Sequence, residues 1–277
     1  MILCELKCYD PKLINGYLVP CGRCYACKLK RSNDWSIRLR QEYLNNNGKA
    51  LFVTLTYDDE FLNISENGLY SVLSKRDVQL FHKRLRHKVP KLNYFLVAEY
   101  GPTTFRPHYH AIYFGLDMSL YDYILSCWQK GFCTCSLVTD GRIAYVAKYS
   151  LLPQSLPEYL LKQEYKPFML CSKGMGISYC QTEQVHRMHN FDDKLYINEN
   201  GYKKALPRYY RIKLFSEEKR KRFAEEYKQR TSQYFDESRE LQKNDPKEFA
   251  KKMKRKKDWI VGHSYDVENR LLKKPKI

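Results

Sequence analysis

The chain has 277 residues, with 49 Lys and Arg against 31 Asp and Glu, so it carries a net charge of +18 and a pI near 9.3. That length can bury a real core, as one domain with an appendage or as two small ones, and the charge is the footprint of a protein that meets a polyanion. No apolar run approaches the ~18–20 residues needed to span a bilayer, and no basic amphipathic stretch is sharply segregated, so nucleic acid is favoured over a membrane surface as the partner.

The 24 tyrosines, many beside Lys or Arg, suit stacking on unpaired bases, although most are expected to be ordinary core or boundary residues. Met1-Ile2-Leu3-Cys4-Glu5 has an early acidic residue and no apolar core of ~7–15 residues. A cleaved secretory signal is therefore not expected, and the chain is expected to remain inside the cell. In a reducing compartment its ten cysteines read as metal ligands or free thiols.

In chain order, the first organised feature is Pro20-Cys21-Gly22-Arg23-Cys24-Tyr25-Ala26-Cys27, three cysteines at two successive three-residue steps. With Cys4 or Cys8 as a fourth ligand they suit a closed structural zinc site, here taken as Cys8, Cys21, Cys24 and Cys27. The same pattern also suits reduced cysteines packed at a helix start. A helix is expected from about Cys24 to Tyr43, with Trp35, Leu39 and Tyr43 as its apolar stripe and Lys28, Lys30, Arg31, Arg38 and Arg40 on its other faces.

Leu51 to Tyr57 is rich in β-branched and aromatic residues and reads as a central strand, with Asp58, Asp59 and Glu60 as turn residues after it. Asp77 is expected to cap a helix running through Val89 that Pro90 stops. Tyr94 to Glu99 and Arg106 to Phe114 read as antiparallel strands. His108 and His110 share a face of the second, with Cα atoms roughly 6–7 Å apart. Both imidazoles can reach one metal ion there, and Glu99 is the candidate third ligand. Spacing alone equally suits two polar residues on a wet strand face.

Leu120 to Trp128 is expected to form a helix closed by Gly131, and a short strand near Phe132 to Leu137 carries Cys133 and Cys135 as core thiols. Thr139 and Asp140 then precede a helical Gly141 to Tyr149, in which Tyr145 and Tyr149 share a face and Lys148 stands beside it. Tyrosines at this spacing more often belong to a packing stripe, and Lys148 also suits a plain surface position. Pro153 to Pro157 reads as a linker, and Lys173-Gly174-Met175-Gly176 as a flexible turn near which a phosphate can lie. From Ser216 onward charge dominates: a helix to about Tyr227, polar sequence, and then the basic block Lys251 to Lys257.

Taken together these residues resemble the HUH endonucleases, and more closely the rolling-circle replication initiators of microviruses, of the gokushovirus type. Phe52-Val53-Thr54-Leu55-Thr56-Tyr57 resembles their first strand motif, Arg106-Pro107-His108-Tyr109-His110 the histidine motif, and Tyr145-Val146-Ala147-Lys148-Tyr149 the paired-tyrosine motif. Glu99 is similar to the third metal ligand. The likeness covers roughly residues 4 to 215 and departs at Ser150-Leu151-Leu152-Pro153, where relatives tend to carry further basic residues.

The resemblance implies an α+β fold with a central antiparallel sheet, flanking helices and a basic, largely helical C-terminal extension. It divides the chain into a cysteine-bearing segment (1–30), an endonuclease core (31–215) and the extension (216–277). It also implies an enzyme: a site-specific DNA nickase and strand transferase using Mg²⁺ or Mn²⁺ at Glu99, His108 and His110, with Tyr145 and Tyr149 as nucleophiles and Lys148 assisting. The expected partners are single-stranded and duplex origin DNA with a host replication helicase and polymerase, in the cytoplasm of a bacterial host. Two other readings stay open: a transposition or mobilisation relaxase of the same chemistry, and a non-catalytic zinc-containing DNA-binding protein.

Overall fold

The computed structural model describes residues 8, 11–148, 156–199 and 201–272, and the side chains of all of these except 18, 234, 235, 260, 261 and 263–272. The expected linker at 153–157 therefore falls mostly outside the described residues, as do Cys4 and Tyr149. The chain divides into two compact units, Trp35–Tyr179 and Met1–Asp34 with Cys180–Ile277. The fold is α+β.

The Trp35–Tyr179 unit is built on a five-stranded antiparallel sheet. Its strands are β3 (Ala50–Thr56), β4 (Asn93–Tyr100), β5 (Pro107–Phe114), β6 (Cys133–Leu137) and β7 (Phe168–Cys171), in the order β6-β3-β5-β4-β7. Alternation of side chains across each strand gives the sheet two different faces. On one, Leu51, Val53, Leu55, Leu96, Ala98, Tyr109, Ala111 and Tyr113 meet Val78, Phe81 and Leu85 of α2 (Lys75–Arg86) and Ile124, Cys127 and Trp128 of α3 (Tyr121–Trp128). On the other, Phe95, Val97, Ile112 and Phe114 meet Leu39 of α1 (Tyr25–Asn45) and Ile143, Val146 and Ala147 of α4 (Asp140–Lys148). Each fully buried Leu or Phe among these contributes roughly 1.5–3 kcal/mol.

Several local expectations are corrected. Asp77 is not the cap of α2. Ser74 is, its hydroxyl accepting from the Asp77 amide, while the Asp77 carboxylate turns inward to accept from the Tyr57 hydroxyl (2.9 Å) and the Asn63 amide (3.0 Å). The helix also ends at Arg86, short of Val89. Helix α3 is closed by Gln129 in the left-handed region (φ 56°), not by Gly131. Gly131 answers a different demand, because a Cβ there would stand 2.1 Å from the Asp58 amide nitrogen where the β3 end passes.

The Lys173–Gly176 turn is held from below. Met175 is buried, its carbonyl accepts two bonds from the Arg38 guanidinium (3.0 and 3.1 Å), and the Gly176 amide donates to Glu42 (2.7 Å), so that amide is already used. Arg38 also stacks over Trp35, and Arg40 pairs with Asp140 at 2.9 Å. Two of the five cations expected on the outer faces of α1 thus brace the fold.

In the other unit, the hairpins β1 (Lys12–Ile14) with β2 (Tyr17–Val19) and β8 (Tyr196–Glu199) with β9 (Tyr202–Ala205) accompany α5 (Glu183–Asn190) and α6 (Arg208–Leu214). Two long helices follow, α7 (Glu217–Asn244) and α8 (Pro246–Leu272). Helix α7 runs well past the expected stop at Tyr227. It lacks a strong apolar stripe but is composed of good helix formers, starts at a Ser216 cap, and carries pairs such as Glu217–Lys221 (2.8 Å) at four-residue spacing. The basic block Lys251–Lys257 lies within α8. Among the described residues no helix is long and apolar enough to cross a membrane.

Candidate metal and nucleophile site

The sheet register decides what Glu99, His108 and His110 share. Glu99 stands directly opposite His108 on the paired strands, and Val97 opposite His110, so all three side chains project from the same face. This is the face that α1 and α4 cover further along the strands, and the residues alternating with the histidines point the other way: Tyr109 lies in the core beneath α2 and α3.

His110 is held on both ring nitrogens. Nδ1 is 3.0 Å from the Thr54 hydroxyl, its register partner on β3, and Nε2 is 3.1 Å from Glu99 Oε1. Phe52 stacks on the same ring. Two ligand atoms bound side by side to one octahedral ion at about 2.1 Å lie about 3.0 Å apart, so the Glu99–His110 pair has the spacing of a cation edge.

His108 stands further off. Its ring centroid is 6.5 Å from that of His110, and its Nε2 lies against Gly101, where a Cβ would come within 3.3 Å. Burial, and then the neighbouring His110, lower the His108 pKa against the pull of Glu99, which favours the neutral, ligating form of the imidazole. As a donor set, two imidazoles and a carboxylate on one face fit a divalent cation such as Mn²⁺ or Mg²⁺ once the His108 ring swings toward the other two.

Tyr145 meets this group from α4. That helix begins with Thr139, whose hydroxyl accepts from the Arg142 amide, and Ile143, Val146 and Ala147 press its inner side into the core. Tyr145 is left 40% exposed with its ring edge-on to His110, centroids 5.4 Å apart, and 6.3 Å from Phe52. Arg142, one turn earlier, lays its guanidinium over Phe52. Lys148 ends the same helix in an exposed position.

Sequence reading missed Thr54, Phe52, Gly101 and Arg142 around this site. Thr54 had a signal: a polar residue on the period-2 face that Leu55 avoids, in a strand next to the histidines. The other three are recognisable only from proximity.

The four cysteines come together elsewhere. Cys8, Cys21, Cys24 and Cys27 place their sulfur atoms within 4.8 Å of one another and could hold a metal ion. Among the described residues they are the one group of His, Cys, Asp or Glu gathered this tightly with no side chain moving. Burial opposes ionisation of the Cys21 thiol, but bonds from the Cys24 and Arg23 amides outweigh it and bring the pKa down to about 7. Cys133 and Cys135 pack, half-buried, against the main core and lie outside both groups.

Residues 50–151 match the model of the replication-associated protein ORF2 family, a span that holds the histidine strand, Glu99 and the tyrosine helix together. Three relatives bear similar names. Replication-associated protein ORF2 of Spiroplasma virus 4 is 28% identical over 69% of this chain and 66% of its own length. Replication-associated protein VP4 of Bdellovibrio phage phiMH2K is 27% identical over 72% and 68%, and Replication-associated protein ORF4 of Chlamydia phage 1 is 28% identical over 48% and 38%. The chain belongs to the microvirus-type replication-associated proteins. The match thus spans about two thirds of the first two relatives and less than half of the third. No solved structure matches this replication-associated chain.

Proposed function

We propose that this chain initiates rolling-circle replication of a phage genome, by nicking one strand at the origin of the duplex replicative form and later rejoining the displaced strand. The observation that carries the reading is that Tyr145 stands edge-on to His110 while His110 is paired to Glu99, inside the span shared with the replication-associated family.

In this reading Glu99, His108 and His110 hold Mg²⁺ or Mn²⁺, which when bound would offset negative charge on a scissile phosphate oxygen. Thr54 accepts the Nδ1 proton of His110 and so keeps Nε2 as its ligating atom. The Tyr145 phenol loses its proton and its oxygen bonds to phosphorus. The bond from phosphorus to the 3′ oxygen breaks, and that oxygen leaves as a 3′-hydroxyl. Lys148 and Arg142 supply positive charge near the phosphate and leaving oxygen. One phosphodiester replaces another, so the free 3′ end can be extended by a host polymerase behind a helicase and rejoined without ATP. Tyr149 serves as the second nucleophile for the next cleavage. The cationic helix α8 adds sequence-independent affinity for DNA, which falls steeply with salt.

The test is an SDS-stable protein–DNA adduct formed with Mn²⁺ and a single-stranded origin oligonucleotide. Tyr145→Phe/Tyr149→Phe should form none while still binding DNA, and each single variant should keep some cleavage. Full adduct formation by the double variant overturns the nucleophile assignment. DNA binding with no adduct from the wild type leaves a non-catalytic binding protein in its place.

A further inference from the structure

We infer that Cys8, Cys21, Cys24 and Cys27 hold one Zn²⁺ in a closed, four-thiolate structural site, independently of the nuclease reading. Four sulfurs tetrahedrally placed about 2.3 Å from a zinc ion stand about 3.8 Å from one another. The Cys8 and Cys24 sulfurs are 3.8 Å apart and those of Cys21 and Cys27 are 4.0 Å apart. The cluster already has the spacing of a zinc shell, and all four cysteines are free thiols.

The backbone around them is shaped for thiolates. Gly22 takes a left-handed φ of 76° and turns the chain between Cys21 and Cys24. The Cys21 amide donates to the Cys8 sulfur and the Cys24 amide to the Cys21 sulfur, each at 3.3 Å, and such bonds stabilise the ionised form.

The local packing also needs a staple. Between Cys8 and Cys21 lies only the β1–β2 hairpin of three-residue strands, on which Leu13 and Ile14 are about half exposed and Tyr17 is 37% exposed. An isolated hairpin of that size is marginal in water. The cluster at its base consists of the four cysteines with Ala26 and Tyr25, too small a core to hold the hairpin by apolar burial. Zinc binding makes four Zn–S bonds, breaks four S–H bonds and releases four protons to solvent, with no change of redox state. Arg23, Lys28 and Arg31 stand close in sequence to offset the resulting charge of −2. With four protein ligands the shell has no position for substrate, so its role is to tie the hairpin to the start of α1.

The experiment is metal analysis of the full chain purified under reducing conditions. About one zinc per chain should be retained, and Co²⁺ exchange should produce sulfur-to-cobalt charge-transfer bands with the d–d bands of a tetrahedral site. Cys24→Ser should lose the zinc at least tenfold while Cys127→Ser retains it. If Cys24→Ser does not fold, alkylation of the wild type decides: these four cysteines should react only after a chelator is added. Less than about a tenth of an equivalent of zinc after reconstitution, equal alkylation with and without chelator, or a disulfide recovered among the four in the reduced chain each overturn the assignment.

Discussion

The two faces of the central sheet are made by the same strands and carry similar chemical groups, yet they do different work. Under α2 and α3 the Tyr109 hydroxyl meets that of Tyr57 (2.9 Å), Tyr57 donates to Asp77, and the Ser74 amide donates to Tyr109. Close by, His82 is buried with its Nε2 2.8 Å from the Tyr113 hydroxyl. Burial raises the pKa of both Tyr57 and Tyr109 well above the ordinary phenol value. On the opposite face Thr54, His110, Glu99 and Tyr145 form a comparable chain of alcohol, imidazole, carboxylate and phenol, but Tyr145 is accessible and His108 is still able to turn. A polar network closed on itself rigidifies a core, whereas one left open at its edge can take a ligand. Tyr109, between two candidate metal ligands in sequence, belongs wholly to the first kind.

Removing the open face's carboxylate should have the largest effect. Glu99→Gln is expected to lower adduct formation about 10³-fold, or ~4 kcal/mol, with little change in melting temperature, and EDTA should do the same to the wild type until Mn²⁺ is restored. A large loss of stability in Glu99→Gln would erase the distinction between the faces.

Next is the acid response of the closed face. Burial, and then the charge of Arg86, lower the His82 pKa to about 3 from an ordinary 6.5. The unfolded chain therefore binds the extra proton first as pH falls. The stabilisation is complete above pH 6.5 and is lost progressively toward pH 3, on the order of 4 kcal/mol. His82→Gln keeps an acceptor for Tyr113 but does not titrate, so its urea midpoint should be flatter than that of the wild type over this range.

Tyr109→Phe should cost about 1–3 kcal/mol in urea unfolding by stripping partners from Ser74 and Tyr57, and should leave adduct formation per folded molecule unchanged. Loss of cleavage without loss of stability would place Tyr109 in the chemistry. The smallest effect is the sharpest probe: Thr54→Val should weaken Mn²⁺ binding about 10-fold by calorimetry, with Thr54→Ser close to wild type. Equal affinity in both variants would show that the Thr54 bond does not orient His110.

Much of this was legible in the sequence because strand alternation is a strong rule. The β-branched run at 51–57 and the histidines two apart both obey it, and Glu99 lands on the same face. What was not legible depends on distant partners. Asp77 looks like a cap because Asp favours helix starts, but Ser74 stands three residues earlier and the core offers Asp77 two donors. Gly131 looks like a helix stop, but its cause is the end of a strand that lies far away in sequence. Helix α7 hides its length because solvated helices lack the apolar stripe by which helices are read.

The pairing of β4 with β5 also dictates which length changes the chain can accept. The turn between Tyr100 and Pro107 only joins the two strands, so a residue gained there leaves both histidines on the ligand-bearing face. One residue inserted within β5 ahead of His108 would send the imidazoles into the hydrocarbon interior and bring Tyr109 out in their stead. Insertion variants should therefore accumulate in the first place and be purged from the second.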